Sequence, residues 1–253
     1  MNIVICVKAV PMKLVSPVDA KSTSFTINPY DLWTLSNIVQ SGKKYGWNIT
    51  CLCMGSLAVK DVLFKCYALG ADNCILLSDV KFAGSDTYAT SYILSKALAL
   101  IPYDFIVCGR EAIDGETGQI GCSLATWLDI PYVQGVQQLK MSEAGNSINI
   151  HYKDNSIEYV AEANQGIPMV LAYSDFVVHV DINLMALKRA QKKEIIVWDT
   201  EVLMVDPDDC GQAGSKTKVV HMKPNTASDK NVQFISGTNT EKAKDLLKFL
   251  SVV

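Results

Sequence analysis

Residues 108–121 read CGREAIDGETGQIG, with glycines at 109, 115, 118 and 121. An apolar run, DFIV, precedes the stretch and an amphipathic one, SLATWLDI, follows it. Bare backbone therefore stands between an expected strand and an expected helix. Peptide N–H groups at a helix start, with the positive end of the helix dipole behind them, attract phosphate. Gly115, Gly118 and Gly121 would let a ligand approach that backbone closely, and Thr117 and Gln119 can add side-chain bonds. The loop is not a Walker loop, because no Gly-Lys-Ser/Thr closes it. Nor is it the dinucleotide fingerprint, because the spacing is GxxGxxG rather than GxGxxG. Asp114 and Glu116 would repel a phosphate that they faced. They are expected to point outward, to cap the helix or to bond a ribose hydroxyl. The plain alternative is a strand–helix turn whose glycines serve close packing.

A second stretch, AGSDTYAT, has similar chemistry. Ser85 or Asp86 can cap a helix, and Thr87 and Thr90, three apart, share its first-turn face. Two such helix starts after neighbouring strands suggest a pyrophosphate or two adjoining ligand segments; simple capping is the alternative. Arg110 offers a cation nearby, or a surface ion pair. No Ser/His/acid or Cys/His set is recognisable, no carboxylate pair is placed for acid–base work, and no lysine is tied to a phosphate loop. The chain reads as built to hold a nucleotide rather than to cleave it. A nucleotide-hydrolysing or nucleotide-sensing α/β protein remains the rival of another class.

The elements that must position these groups follow a regular grammar. NIVICVK (2–8) is a continuous apolar run, as in a strand buried on both faces. Residues 12–26 read as a loop. INPYDLWTLSNIVQSGKKYG then reads as a helix. Asn28 is its N-cap, Pro29 its first position and Asp31 lies in its first turn; Ile27 and Leu32 form a staple, and Gly46 is the stop. Further strands are expected at NITCLCMG, NCILLSD and DFIVCG, with helices over 57–69 and from GSDTYATSYILSKALAL. After Pro131, YVQGVQQLKM, NSINIHYK and SIEYVAEA read as an antiparallel ribbon, and IPMVLAYS as one more apolar strand. INLMALKRAQKK is a short basic helix, 205–230 an extended arm, and TEKAKDLLKFLS an amphipathic helix striped by Leu246, Leu247 and Leu250. The expected fold is α/β: a doubly wound, mostly parallel sheet with an antiparallel ribbon at about 132–164 and a C-terminal arm over 201–253. In such sheets ligands sit at the carboxyl ends of the strands, here the loops 8–11, 54–56, 78–87 and 109–121.

The bulk numbers agree with a folded chain without exotic needs. Of 253 residues 49% are hydrophobic and 19% charged, and the net charge of −3 gives no electrostatic case for nucleic acid or anionic lipid. Most of the eight cysteines lie in apolar runs and read as core thiols; Cys51 and Cys53 would share one strand face. Histidines 151, 179 and 221 stand apart with no partner at ligand spacing, so no metal is expected. Free thiols, no apolar run of membrane length and no export-like start predict a cytoplasmic protein.

IVICVKAVP, INPYDLWTL, ALGADNCILLSD, FAGSDTYATS and IVCGREAIDGETGQIGCSLATWLDIPYV occur in this order. Together they resemble the electron-transfer flavoprotein beta-subunit family, strongly over 1–135 and more weakly through MALKRAQKKEIIVWD and GQAGSKTKVV. The resemblance implies a heterodimer with an alpha subunit that holds the principal FAD, while the beta subunit binds an adenine nucleotide. That nucleotide is AMP in simple carriers, and a second FAD fed by NADH in the electron-bifurcating branch. By motif match, Cys6, Val7 and Lys8 would line the nucleotide, Asn28 and Met54–Gly55 would surround the adenosine, and Gly115, Glu116, Thr117, Gly118, Gln119, Ile120 and Gly121 would take phosphate. Thr87 and Thr90 match positions that touch FAD in the bifurcating branch, which favours FAD over AMP. The resemblance implies no turnover by the polypeptide alone, and an arm from 201 that wraps the alpha subunit. It also implies a docking helix at about 183–193, with Leu184 as apolar anchor and Lys188 and Arg189 facing a flavin dehydrogenase such as an acyl-CoA dehydrogenase. The stretch YSDFVVHVDINLMAL (173–187) departs from the family, which puts the identity of that dehydrogenase in question.

Overall fold

The computed structural model describes residues 1–12, 24–143, 145–164, 166–174, 182–218, 220 and 235–250. The chain forms two compact units, Met1–Lys218 and Val219–Val253. In the first, the elements run β1 (Asn2–Cys6), β2 (Ala9–Pro11), β3 (Phe25–Ile27), α1 (Pro29–Tyr45), β4 (Asn48–Met54), α2 (Lys60–Leu69), β5 (Asn73–Leu77), α3 (Thr87–Leu98), β6 (Phe105–Cys108) and α4 (Ile120–Leu128). There follow β7 (Tyr132–Met141), β8 (Ser147–Asp154), β9 (Ile157–Asn164), β10 (Met169–Tyr173), α5 (Leu184–Ala190), β11 (Ile196–Trp198), α6 (Thr200–Leu203) and α7 (Gly211–Gly214).

Nine strands make one sheet in the order β11-β5-β4-β1-β6-β10-β7-β8-β9. From β11 to β7 every pairing is parallel; β8 and β9 close the sheet antiparallel. The ribbon expected from the sequence is thus continuous with the main sheet. Alternation along β1 shows why helices cover both faces. Ile3 and Ile5 pack with Leu35 and Ile38 of α1 and Val62 and Leu63 of α2. Val4 and Cys6 pack on the other side with Ile93 and Leu94 of α3 and Leu124 of α4. Each fully buried aliphatic side chain contributes about 1.5–3 kcal/mol, so two such layers stabilise the sheet from both sides. The chain winds outward from β1 through β4 to β5, then returns to place β6 on the other side of β1. The carboxyl ends of β1 and β6 therefore flank the point where the winding reverses, and crevices open at such points.

The helix at 29–45 starts and stops as its sequence dictates: proline opens it, and Gly46 ends it at φ 67° with its N–H donating to the Gly42 carbonyl. Three segments depart from the sequence reading. Part of the expected loop 12–26 is strand, since β3 pairs antiparallel with β2; residues 13–23 lie outside the description. Ile196–Trp198, too short to show periodicity, adds an edge strand beside β5. Residues 205–218 are not extended: they run through a 3-10 turn at Pro207–Asp209 and α7, and Leu203, Val205 and Cys210 are buried in the α3/α4 layer. Within the expected arm, 219, 221–234 and 251–253 lie outside the described residues, as does the side chain of Leu250. The second unit contains α8 (Asn239–Leu250), whose first turn is tied by Thr238 and Glu241 in a capping box; Leu246, Leu247 and Phe249 are exposed.

One backbone device fixes where the ribbon leaves the parallel sheet. Registers shift between Val136 and Gln138 and between Ala172 and Tyr173, and Gly135 sits there at φ +76°. A Cβ on it would strike the Lys153 carbonyl oxygen of β8. Gly135→Ala is therefore expected to cost about 3 kcal/mol, from a left-handed conformation and a backbone clash together. Urea unfolding monitored by circular dichroism measures this, and an unchanged midpoint would show that the bulge can relax.

Candidate functional site

A cavity of about 410 Å³ opens at the carboxyl edge of the sheet where the winding reverses. Cys6, Val7 and Lys8 line it from the exit of β1, Asn28 and Asp31 from the entry of α1, and Met54 from the end of β4. Thr87 and Thr90 line it from the first turn of α3. Arg110 and the run Gly115–Ile120 line it from the segment between β6 and α4. Two of the expected positions stand elsewhere. A Cβ at Gly55 would meet Val59 Cγ2 at 3.0 Å, and one at Gly121 would meet Tyr132 Cε2 at 3.0 Å and Ala172 Cβ at 3.6 Å. Neither residue lines the cavity, and Gly121 serves the packing of α4 on the sheet.

The entry of α1 grips both walls. The Asp31 carboxylate accepts the Lys8 N–H at 2.8 Å and the Gly109 N–H at 3.2 Å, so it bridges the peptide groups just beyond β1 and β6. A Cβ at Gly109 would strike Asp31 Oδ1, so a bare backbone is needed at that contact. Asn28 stands at the N-cap position but makes no side-chain cap bond. Its Nδ2 donates to the Glu111 carbonyl at 2.7 Å and its Oδ1 accepts the Ile113 N–H at 3.2 Å, so it holds the glycine loop instead. Tyr30 donates from its hydroxyl to Glu111 Oε1 at 3.0 Å. The sequence reading missed Asp31, which it took for an ordinary first-turn acid. The signal was available: 31, 35 and 38 lie on one helical face, so the acid shares the apolar stripe of Leu35 and Ile38.

The loop itself forms an anion-seeking turn. Glu116 and Gly118 are left-handed, at φ 52° and 61°, and Gln119 follows in the right-handed region. A left-handed residue followed by a right-handed one turns successive N–H groups into a shared concavity. Among the described residues the amides of Thr117, Gly118 and Gln119 have no protein acceptor. Across the loop, Asp86 caps α3, its Oδ1 accepting the Ala89 N–H at 2.9 Å, while Ser85 donates to the Phe82 carbonyl. The cations near the cavity are not free. Lys8 Nζ pairs with Asp114 at 2.7 Å, and Arg110 Nε lies 3.6 Å from Glu111 Oε1. Asp114 therefore points at Lys8 rather than simply outward. What the site offers a phosphate is chiefly peptide dipoles and hydroxyls.

The expected docking helix is α5. Asn183 caps it through the Met185 and Ala186 amides, and Leu184 and Met185 are exposed, at 67% and 63%. Lys188 and Arg189 lie in its last turn. Lys193 Nζ sits 4.5 Å over the Tyr67 ring, and Tyr67 donates to the Glu194 carbonyl, which ties the segment after α5 to α2. Residues 175–181 of the departing stretch, and His179 and His221, lie outside the description.

Burial pushes the Asp31 carboxyl up to about 7, against the lowering by the Lys8 and Gly109 amides. Unfolded, the group would titrate near 3.8. Between those values the native state binds a proton that the unfolded state has released. The Asp31 contribution is thus fully favourable below about pH 4 and is lost as pH rises through 7, by up to ~4 kcal/mol. Asp31→Asn cannot ionise and should remove that component, although its amide mismatches one of the two N–H donors. Urea unfolding of both proteins between pH 5 and 8 is the measurement; equal slopes would show that Asp31 does not titrate there.

Residues 18–203 match the electron transfer flavoprotein domain family. The chain is similar to electron transfer flavoprotein subunit beta of Thermoanaerobacterium thermosaccharolyticum, at 31% identity over 99% of the chain and 98% of that protein. It is likewise similar to protein FixA of Azorhizobium caulinodans, 30% identical over 98% of the chain and 92% of FixA. Acryloyl-CoA reductase electron transfer subunit gamma of Anaerotignum propionicum is 32% identical over 98% of the chain and 97% of its own length. Matched by the family model over most of its residues and by these relatives nearly end to end, the chain belongs to the electron transfer flavoprotein family, among its beta-subunit and FixA-like electron carriers.

Proposed function

We propose that the cavity binds FAD, and that the chain passes electrons between NADH or a dehydrogenase flavin and the FAD of an alpha subunit by flavin-based electron bifurcation. One observation carries this reading: a single cavity joins the Thr87/Thr90 face of α3 to the unpartnered amides of Thr117, Gly118 and Gln119, at the reversal of the sheet. Two hydroxyls and a concave amide turn suit a diphosphate, with the adenosine along Cys6–Lys8, Asn28 and Met54. A bound flavin would supply the electron chemistry. This chain binds and orients it. The exposed pair Leu184 and Met185, beside Lys188 and Arg189, fits docking to an acidic, partly apolar dehydrogenase surface. The acryloyl-CoA reductase name of one relative fits an acyl-CoA dehydrogenase-like partner.

AMP as a structural ligand is the second reading, favoured by the modest size of the cavity, about 410 Å³ in this chain taken alone. That lies at the small end for cofactor sites. A complete dinucleotide would lean its remainder on the alpha subunit.

The chain purified with its alpha partner, denatured, and assayed by mass spectrometry and flavin absorbance separates the readings. Two FAD per heterodimer are expected; one FAD with one AMP would replace the bifurcating reading by simple transfer. Thr87→Ala with Thr90→Ala should weaken the beta-side nucleotide by ~10–30-fold, through two lost hydrogen bonds, and leave the alpha-side flavin bound. Equal retention of both would remove α3 from the site.

A further inference from the structure

The first turn of α3 is held from two sides. Toward its own helix, Asp86 Oδ1 caps the Ala89 amide. Away from it, Asp86 Oδ2 accepts the Thr217 N–H at 2.8 Å and the Thr217 hydroxyl at 3.0 Å. The Asp86 N–H in turn donates to the Ser215 hydroxyl at 2.8 Å. That hydroxyl lies within hydrogen-bond distance of the Gly211 and Gly84 carbonyls, at 2.7 and 3.2 Å. Lys216 Nζ lies 4.9 Å over the Tyr88 ring. Three consecutive residues, 215–217, thus strap the start of α3 at its backbone, its cap and its first exposed ring.

The strap is seated firmly. Gln212 donates its N–H to the Ala83 carbonyl at 3.1 Å. Gly211, at φ +55°, presses so close that a Cβ would strike the Lys81 carbonyl oxygen. Cys210 is buried behind it. Desolvation works against the charge on Asp86, but the Ala89 and Thr217 amides and the Thr217 hydroxyl hold its carboxyl below the usual carboxylate range. Asp86 is therefore a fixed anion with its oxygens committed, and it lies in the cavity wall beside Thr87 and Thr90. Without the strap, Oδ2 would be free to turn toward the cavity and repel a phosphate there, and the threonine face would lose its outer restraint.

We infer that Thr217 and Ser215 are positioning residues for the nucleotide: by holding Asp86 from outside, they set the first turn of α3 against the ligand. The inference rests on the reading of the cavity as a nucleotide site. Neither residue lines the cavity, so their effect passes through Asp86 and α3. A group fixed before binding spares the ligand the cost of ordering it, which acts mainly on the dissociation rate.

The test uses the full chain with its alpha partner, stripped of the beta-side nucleotide, and titrates FAD and AMP by calorimetry, with stopped-flow dissociation. Thr217→Val keeps the shape of threonine but loses the hydroxyl bond to Asp86. It should weaken the better nucleotide ~10-fold, chiefly through faster release, while the melting temperature falls by only about 2–6 °C and the protein stays folded. Thr217→Ser should restore binding to within about twofold, as a merely space-filling role would not. Amide exchange at Ala89 and Thr90 should quicken in the valine variant. Should that variant fail to fold, Ser215→Ala, which loses the bond to the Asp86 N–H, carries the same measurements. Wild-type affinity in Thr217→Val, or equal weakening in Thr217→Val and Thr217→Ser, would overturn the positioning role alone. A wild-type heterodimer that takes up neither nucleotide would overturn the cavity reading and the positioning role with it.

Discussion

The structure of the site depends on one buried carboxylate set where two neighbouring strands part. The connection after β1 leads to α1 on one face of the sheet, and the one after β6 leads to α4 on the other. Beyond their last ladder bonds the two backbones must diverge, and their N–H groups need acceptors that the sheet no longer supplies. Asp31 provides both, for Lys8 and Gly109. Hydrogen bonds to a charged group contribute about 1.5–3 kcal/mol each, but burying the charge opposes them. The raised carboxyl value of about 7 shows that burial outweighs those bonds in the charged form. The arrangement secures a geometry more than it adds stability. With the Lys8 backbone held inward, its ammonium extends across the mouth to Asp114, and with Gly109 held, Asn28 can clamp the loop at Glu111 and Ile113.

The electrostatic character of the cavity follows. Lysine and arginine would dominate a site built to draw in triphosphates or to stabilise a leaving phosphate. Here Lys8 and Arg110 each face a carboxylate, and Asp31, Asp86, Glu111 and Glu116 share the walls. Attraction is left to short-range peptide dipoles at the 116–119 turn and to hydroxyls on α3, which act only on a group already close and correctly placed. Such a wall favours retention of one modestly charged ligand over turnover of a highly charged one. That agrees with a carrier whose cofactor stays in place while electrons pass.

Much of this was legible in the sequence. The short continuous apolar runs marked the parallel strands, and the Pro29 and Gly46 punctuation bounded α1. Thr87 and Thr90 reach the cavity because threefold spacing on a helix keeps them on one face, and the 115–120 loop because it follows a central strand. The misses share a cause: they depend on what a residue meets across the fold, not on its neighbours in sequence. Asn28 has the chemistry of a cap but finds better partners in a loop 83 residues away. Gly121 completes a glycine pattern yet serves Tyr132 and Ala172. The polar, glycine-bearing run after 205 reads as an arm until its Gln212 amide and Ser215 hydroxyl are matched to residues 83–86.

The thiols beneath the cavity extend the same logic. Cys6 and Cys108 stand opposite each other in register on β1 and β6, both buried, and both line the cavity floor. Hydrogen bonding with Cys6, then burial, push the Cys108 thiol well above the usual thiol range. A thiol reacts as thiolate, so this shift works against reactivity at Cys108. Small and polarisable, the pair fills the seam between the two strands at the cavity without a long side chain. Cysteines paired in a central sheet, read from sequence as core thiols, thus also form part of the cavity surface on which the Asp31-pinned walls stand.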